Sequence, residues 1–185
     1  HCISSAASDV YKRQGINHVY LCLGKKLSTH ELAYMQYDTR ESFKLVDFDY
    51  SLSIAQLAYD SGARSIALVS AVGAQEGSFN YYFHIKGKLE NEIKKIGYEN
   101  ICFARPGHLL GARKDFRGYE IPILESGLKI AAPFMQGPLK NFRQIKAEQV
   151  AEKMVMNLLS KKKGVSYLYY DCLLYTSDAA DDMQC

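Results

Sequence analysis

The stretch that decides the fold reads LVSAVGA at residues 68–74, followed by YYFHIKG at residues 81–87. The apolar residues before Ser70 predict a buried strand that delivers this serine to its carboxyl end. The segment that follows predicts a helix with Tyr82 and Lys86 four residues apart, a spacing that places two side chains on one helix face. A phenol and an ammonium on one face suit proton-transfer chemistry.

Strands and helices alternate on both sides of this stretch. The apolar periodicity predicts strands at 18–23, 65–69, 101–104 and 165–170, and helices at 49–61, 81–96, 121–130 and 147–159, with a polar connection over 24–48. This alternation predicts a Rossmann-like α/β fold, a parallel sheet with flanking helices. Ligands of such sheets bind beyond the carboxyl ends of the strands. We therefore expect Gly24, Ser70 and Arg105 to border one site.

Composition excludes several classes of function. Lys and Arg number 23 against 20 Asp and Glu, a balance too mild to indicate a nucleic-acid partner. No apolar run approaches the roughly 20 residues that a membrane span needs. Cys22 and Cys102 lie in apolar runs, which favours buried thiols in a reducing cytoplasm. No acidic residue or cysteine stands at metal-ligand spacing from His84 or His108, so no metal site is expected.

Both ends of the chain read as translated laboratory DNA. Residues 4–14, SSAASDVYKRQ, are the in-frame translation of a transposase adapter used for sequencing libraries, and residues 172–181, CLLYTSDAAD, translate its reverse complement. We therefore expect 1–14 and 172–185 to be non-native and 15–171 to be the interior of one truncated dinucleotide-binding domain. The alternative is a natural protein with unusual polar tails.

Five motifs in order carry a resemblance that spans most of residues 17–159. They are CLG at 22–24, VDFDY at 46–50, LVSxxGA at 68–74, YxxxKGxxE at 82–90 and RPGxLLGxR at 105–113. In this combination the chain resembles the atypical short-chain dehydrogenases/reductases, most closely the family of the human Tat-interactive oxidoreductase and its bacterial relatives. The resemblance implies a bacterial protein, and the adapter-like ends indicate a metagenomic fragment.

The resemblance also implies a site for NADP, with NAD as the less favoured cofactor, and hydride transfer to or from a carbonyl or alcohol substrate. Tyr82 would be the general acid or base, with its phenol pKa lowered by Lys86, because a tyrosine needs a nearby cation to work at neutral pH. Lys86 would also bind the nicotinamide ribose, and Ser70 would orient the substrate. Position-by-position matching adds four further residues that would line the cofactor: Leu23, Gly24, Leu109 and Arg117.

Two departures from the family pattern limit this interpretation. Ala71 stands where the family usually has the second of two serines, so Ser70 could instead only cap its strand. Residues 15–171 contain no GxGxxG loop to hold a pyrophosphate, and we expect this part alone to be inactive. The alternative function is an NADP-binding regulatory or interaction module without turnover, and self-association into a homo-oligomer stays open. For Arg105, cofactor contact and pairing with a carboxylate both stay open.

Overall fold

The structure is a computed structural model, and it describes residues 15–110, 137–160 and 162–174. Its strands are β1 (His18–Leu21), β2 (Ser65–Val69), β3 (Asn100–Ala104), β4 (His108–Leu110), β5 (Gln144–Lys146) and β6 (Gly164–Leu168). Four of them form a parallel sheet in the order β1-β2-β3-β6, and β4 pairs with β5 in a second, two-stranded parallel sheet. The predicted parallel α/β fold is confirmed.

Helices cover both faces of the four-stranded sheet. They are α1 (Thr29–Ala33), α2 (Tyr37–Lys44), a π-helical segment (Leu45–Tyr50), α3 (Ser51–Asp60), α4 (Tyr81–Ile96), a 3-10 helix (Gly137–Phe142), α5 (Ala147–Leu159) and α6 (Tyr170–Leu174). The π-helical segment joins α2 to α3 without a break, so the chain is helical from Tyr37 to Asp60.

Alternation along the strands divides the core into two clusters. Ile66 and Phe103 belong to the cluster that includes residues of α3 and α4, whereas Ala67 and Cys102 belong to the cluster that includes residues of α5. Successive side chains of a strand point to opposite faces, which explains why neighbours in sequence pack in different clusters. The central strands are therefore buried on both faces, as their continuous apolar runs predicted.

Helix α4 is capped at both ends by local signals in the sequence. The Asn80 side chain accepts hydrogen bonds from the backbone N–H groups of Tyr82 (2.9 Å) and Phe83 (3.4 Å), which satisfies two N-terminal donors of the helix. Gly97 ends the helix with a φ of 104°, a conformation that glycine adopts without steric cost. Ile85, Leu89 and Ile93 are buried on one face of this helix, and its bounds coincide with the predicted 81–96, so the helix prediction is confirmed.

The segment 24–48 differs from the polar connection that we predicted, because it contains α1 and α2. The backbone N–H of Ser28 donates to Glu31 Oε2 (2.8 Å), and the Glu31 N–H donates to Ser28 Oγ (3.2 Å). This reciprocal pair is a capping box, a helix-start signal that was present in the sequence as Ser-x-x-Glu. The long helical stretch that follows α1 also begins earlier than predicted, at Tyr37 instead of residue 49.

The predicted elements near the end of the chain agree in part. Helix α5 coincides with the predicted 147–159, but β6 ends at Leu168 and α6 replaces the last part of the predicted strand. Helix α6 crosses the predicted domain boundary at 172, and Leu173 is buried; the boundary stays a prediction. Strands β4 and β5 have three residues each, too few for a periodic signal. The predicted helix 121–130 and the segments 1–14 and 175–185 lie outside the described residues.

Gly87 lets α4 approach the loop that follows β2. A Cβ atom at this position would lie 2.3 Å from the carbonyl carbon of Gln75 and 2.4 Å from the backbone nitrogen of Glu76. Both are backbone atoms, so neither can rotate away as a flexible side chain would. The contact requires a residue without a side chain at the centre of the helix.

We expect Gly87→Ala to lower the free energy of unfolding by about 1–3 kcal/mol, the usual cost of overpacking. Helix propensity alone favours alanine by about 1 kcal/mol, so the clash opposes the local preference. Urea unfolding followed by circular dichroism measures the effect. Gly15→Ala is the control, because nothing lies within 4 Å of its added Cβ. A stabilised Gly87→Ala protein would contradict the close approach.

Candidate functional site

Lys86 and Asp47 form a buried ion pair beneath helix α4. Lys86 Nζ lies 2.8 Å from Asp47 Oδ1, and the two side chains are only 6% and 2% exposed. Moving a charge out of water is unfavourable unless an opposite charge compensates it. Each of the two charges can therefore be buried because the other one compensates it.

Asp47 is held at this position by its place in the helix. It lies in the π-helical segment, and the residue four positions before it (Phe43) and the residues four and eight positions after it (Ser51 and Ala55) are buried too. Its second carboxylate oxygen, Oδ2, accepts a hydrogen bond from the backbone N–H of Lys25 (2.7 Å), in the loop after β1. The carboxylate thus connects that loop to α4.

Tyr82 packs one turn before Lys86 on α4. Its ring centroid lies 5.5 Å from that of Phe43 and 6.0 Å from Lys86 Nζ. Burial, followed by the negative charge of Asp47, raises the pKa of Tyr82 to about 12. The structure therefore opposes the expectation that Lys86 lowers this pKa, because burial of the phenol and, after it, the adjacent Asp47 carboxylate raise it. The phenol is neutral at physiological pH.

Ser70 lies directly after β2, where its backbone N–H donates to the carbonyl of Ala104 (2.8 Å) and continues the ladder between β2 and β3. Continued alternation places Ser70 on the same side of the sheet as Leu68, the side of α4. Its hydroxyl oxygen is buried and has no hydrogen-bond partner among the described residues. Buried polar atoms usually have a partner, so this unpaired hydroxyl marks Ser70 as a candidate ligand contact.

Arg105 pairs with a carboxylate, one of the two alternatives that its sequence position left open. Its Nε donates to Glu90 Oε1 (3.0 Å), and its Nη1 donates to the hydroxyl of Tyr169 (2.7 Å). Its guanidinium carbon also lies 4.5 Å from the centroid of the Tyr167 ring. Arg105 therefore fixes α4 and the end of β6 to the end of β3.

The remaining predicted cofactor residues are placed differently from one another. Leu23 and Gly24 follow β1 and are exposed, and a Cβ on Gly24 would lie 3.5 Å from Asp47 Oδ1. Leu109 lies in β4 and packs against the core cluster that includes residues of α5, not against the cluster that includes residues of α4. Arg117 lies outside the described residues.

Sequence reasoning missed two buried carboxylates that form ion pairs at α4, Asp47 beside the candidate site and Glu90 at the end of β3. Both lie inside motifs that carried the family resemblance, VDFDY and YxxxKGxxE. Glu90 also stands four residues after Lys86, so the spacing of Tyr82, Lys86 and Glu90 indicates one polar stripe along α4. Lys86 and Glu90 are buried, so this stripe faces inward.

The two cysteines that we expected to be buried, Cys22 and Cys102, differ in exposure. Cys102 is buried, and burial raises its pKa to about 12, but Cys22 is exposed, so its predicted burial was wrong. His84 Nδ1 accepts a hydrogen bond from the Gly77 N–H (3.1 Å).

Across the described ranges, we find no group of three or more candidate metal ligands. None of the helices in these ranges is both long and apolar enough to cross a membrane.

No family model matches the chain. The chain is 33% identical over 139 residues to "Protein FMP52, mitochondrial" of Candida albicans, an alignment that covers 74% of this chain and 58% of the relative. With the protein of the same name from Meyerozyma guilliermondii it shares 28% identity over 163 residues, which covers 87% and 66%. The chain thus spans about three-fifths of the length of these two relatives.

Solved structures share the fold at low sequence identity. The Bordetella bronchiseptica enzyme WbmG in complex with NAD and UDP has a TM-score of 0.55 and 13% identity, covering 89% of this chain and 53% of that one. The Bacillus cereus enoyl-acyl carrier protein reductase with NADP+ also has a TM-score of 0.55, with 17% identity and coverages of 89% and 67%. The chain therefore shares its fold with these two proteins.

The relatives correct two expectations. They are fungal proteins whose names assign them to mitochondria, so the predictions of a bacterial source and of a cytoplasmic location are wrong. The bacterial assignment came from the family resemblance. The cytoplasmic one came from cysteine usage, which indicates a reducing compartment but does not identify it.

We expect Lys86→Met to lower the free energy of unfolding by about 3–5 kcal/mol, because it leaves the Asp47 carboxylate buried without its counter-ion. The matched control is Lys44→Met, which removes a pair with Asp49 whose side chains are 44% and 40% exposed; such pairs contribute about 0–1 kcal/mol. Urea unfolding at neutral pH measures both. Equally small losses would contradict the importance of the buried pair.

Alkaline pH provides a separate test of the Tyr82 environment. An unfolded tyrosine ionises near 10, whereas Tyr82 in the fold ionises near 12. Between these values the unfolded chain has lost a proton that the fold retains, so the free energy of unfolding falls as pH rises. We expect Tyr82→Phe to make this fall shallower in urea titrations from pH 9 to 12. An unaltered slope in Tyr82→Phe would contradict the assignment.

Proposed function

We propose that the full-length protein is an NAD(P)-dependent oxidoreductase that transfers hydride to or from a carbonyl or alcohol. The observation that carries this proposal is the position of Lys86 beside the Tyr82 ring on α4, the helix that packs on the Ser70 side of the sheet. Ser70 adds a buried hydroxyl without a partner among the described residues. Likeness to proteins solved with NAD and NADP+ supports the cofactor class.

The residues present fit a dinucleotide at this edge of the sheet. An ammonium has three N–H donors, so contact with one Asp47 oxygen leaves donors of Lys86 for a ribose hydroxyl. Gly24 and Leu23 border the same edge through the loop that Asp47 holds. When bound, the cofactor supplies the hydride, and the protein supplies position and electrostatics. NADP is our proposal over NAD on the strength of the family resemblance.

Tyr82 would exchange the proton in this reaction. In the direction of carbonyl reduction, its neutral phenol donates a proton to the substrate oxygen as negative charge develops there. The phenolate that remains is stabilised by the Lys86 ammonium, and in alcohol oxidation the proton returns along the same route. The Ser70 hydroxyl would hold the substrate oxygen in both directions of the reaction.

The names of the fungal relatives support a mitochondrial location for the protein.

Comparison of two adjacent tyrosines tests the proposal. We expect the full-length protein to oxidise NADPH or NADH with members of a carbonyl panel, and Tyr82→Phe to reduce that rate by at least about 100-fold, as loss of a general acid does. Tyr81→Phe is the matched control. The Tyr81 ring centroid lies 5.1 Å from the guanidinium carbon of Arg40, and we expect the rate of this variant to stay within about threefold of wild type. Equal rates in wild type and Tyr82→Phe would contradict the role of Tyr82.

A binding protein without turnover is the second candidate. Ala71 favours it, because this buried residue offers no hydroxyl next to Ser70, and the raised pKa of Tyr82 favours it too, because a phenol near 12 is a weak acid. Cofactor binding without turnover across the whole carbonyl panel would support this candidate. Dependence of turnover on Tyr82 would contradict it.

A further inference from the structure

The Asp47 carboxylate uses its two oxygens for two different elements. Oδ1 lies 2.8 Å from Lys86 Nζ, and Oδ2 accepts the backbone N–H of Lys25 at 2.7 Å. Lys25 directly follows Gly24 in the loop at the carboxyl end of β1. A single buried side chain therefore links the lysine of the candidate site to the loop that borders the proposed cofactor edge.

We propose that Asp47 is a positioning residue, which holds the Lys86 ammonium and the loop after β1 in one arrangement for the cofactor. This inference rests on the proposed function, because it assigns a role within the same site. Asp47 itself lies beneath the two groups and acts through them.

The packing around Asp47 leaves Lys86 little freedom to take another position. Phe43 lies one turn before Asp47 and packs on Tyr82, which is one turn before Lys86 on α4. The two helices thus contact each other at two successive turns, once through rings and once through charges. The long, flexible lysine side chain loses rotational freedom about several bonds when it is held in this way. The attraction of the buried carboxylate compensates for this loss.

Other charges close to this pair are committed elsewhere. Lys44 Nζ pairs with Asp49 (3.0 Å), and the Lys25 ammonium contacts Ser42 Oγ. Lys88 Nζ lies 5.2 Å from the centroid of the Phe48 ring. Among the described residues, Lys86 is therefore the lysine that forms an ion pair with Asp47.

The pair of Arg105 with Glu90 separates positioning from simple stabilisation. It involves the same helix, and the Glu90 side chain is as buried as that of Asp47, at 2% exposure. It holds α4 to the ends of β3 and β6 and makes no contact with the loop after β1. If burial of an ion pair under α4 were sufficient for cofactor binding, loss of either pair would have the same effect.

The test is a double-mutant cycle on cofactor affinity in the full-length protein. NADPH and NADH are titrated by fluorescence into wild type, Asp47→Asn, Lys86→Ala and the double variant, below the unfolding temperature of each. We expect Asp47→Asn to weaken binding of the preferred cofactor about tenfold, the effect of one hydrogen bond to a charged group. In the Lys86→Ala background we expect the same change to weaken binding less than about twofold.

Two single variants serve as controls in the same titration. Asp49→Asn makes the identical chemical change two residues away, at the exposed pair with Lys44. Glu90→Gln breaks the other buried pair. We expect both to bind the cofactor within about twofold of wild type, although Glu90→Gln unfolds at a lower urea concentration.

Each outcome decides the inference. Equal weakening by Asp47→Asn with and without Lys86 would overturn it, because Asp47 would then act independently of the lysine. Unchanged affinity in Asp47→Asn, or equal weakening in Glu90→Gln, would overturn it as well and would leave the pair with a purely stabilising role. Wild type that binds neither NADPH nor NADH would contradict the proposed function itself, and this inference with it.

Discussion

Two buried charges on one helix are the constraint on which the rest of this structure depends. Lys86 and Glu90 are one turn apart on α4, and each is buried against an oppositely charged residue from a different element. Asp47 comes from the π-helical segment and Arg105 from the end of β3. Because an unpaired charge in this position is strongly unfavourable, the two pairs determine how α4 is rotated about its axis. Its rotation in turn places Tyr82.

Much of this fold could be predicted from the sequence because it depends on local patterns. The strands around Ser70 are continuous apolar runs, and α4 has an apolar stripe, an Asn80 cap and a terminal Gly97. Such signals require only neighbouring residues. The common face of Tyr82 and Lys86 follows from helix geometry alone. The short helix α1 was equally predictable from its capping box.

The electrostatic state of the site was beyond sequence reasoning. Asp47 and Lys86 are far apart in the chain, and only the packing of two helices brings them within 2.8 Å. The sequence therefore suggested a lysine that lowers the pKa of Tyr82, whereas the fold raises this pKa through burial and through Asp47. Likewise, the apolar run around Cys22 suggested burial, but β1 ends at Leu21, one residue before it. Tertiary placement decided both cases.

The double pairing on α4 also constrains how this protein can change over evolutionary time. Substitution of one member of a buried pair leaves its partner charged and dehydrated, whereas replacement of both by apolar residues of similar volume is often tolerated. Positions 47 and 86 should therefore vary together among homologues, and so should 90 and 105. Lineages that retained the charges at 90 and 105 but lost those at 47 and 86 would have kept one anchor of α4 and lost the other.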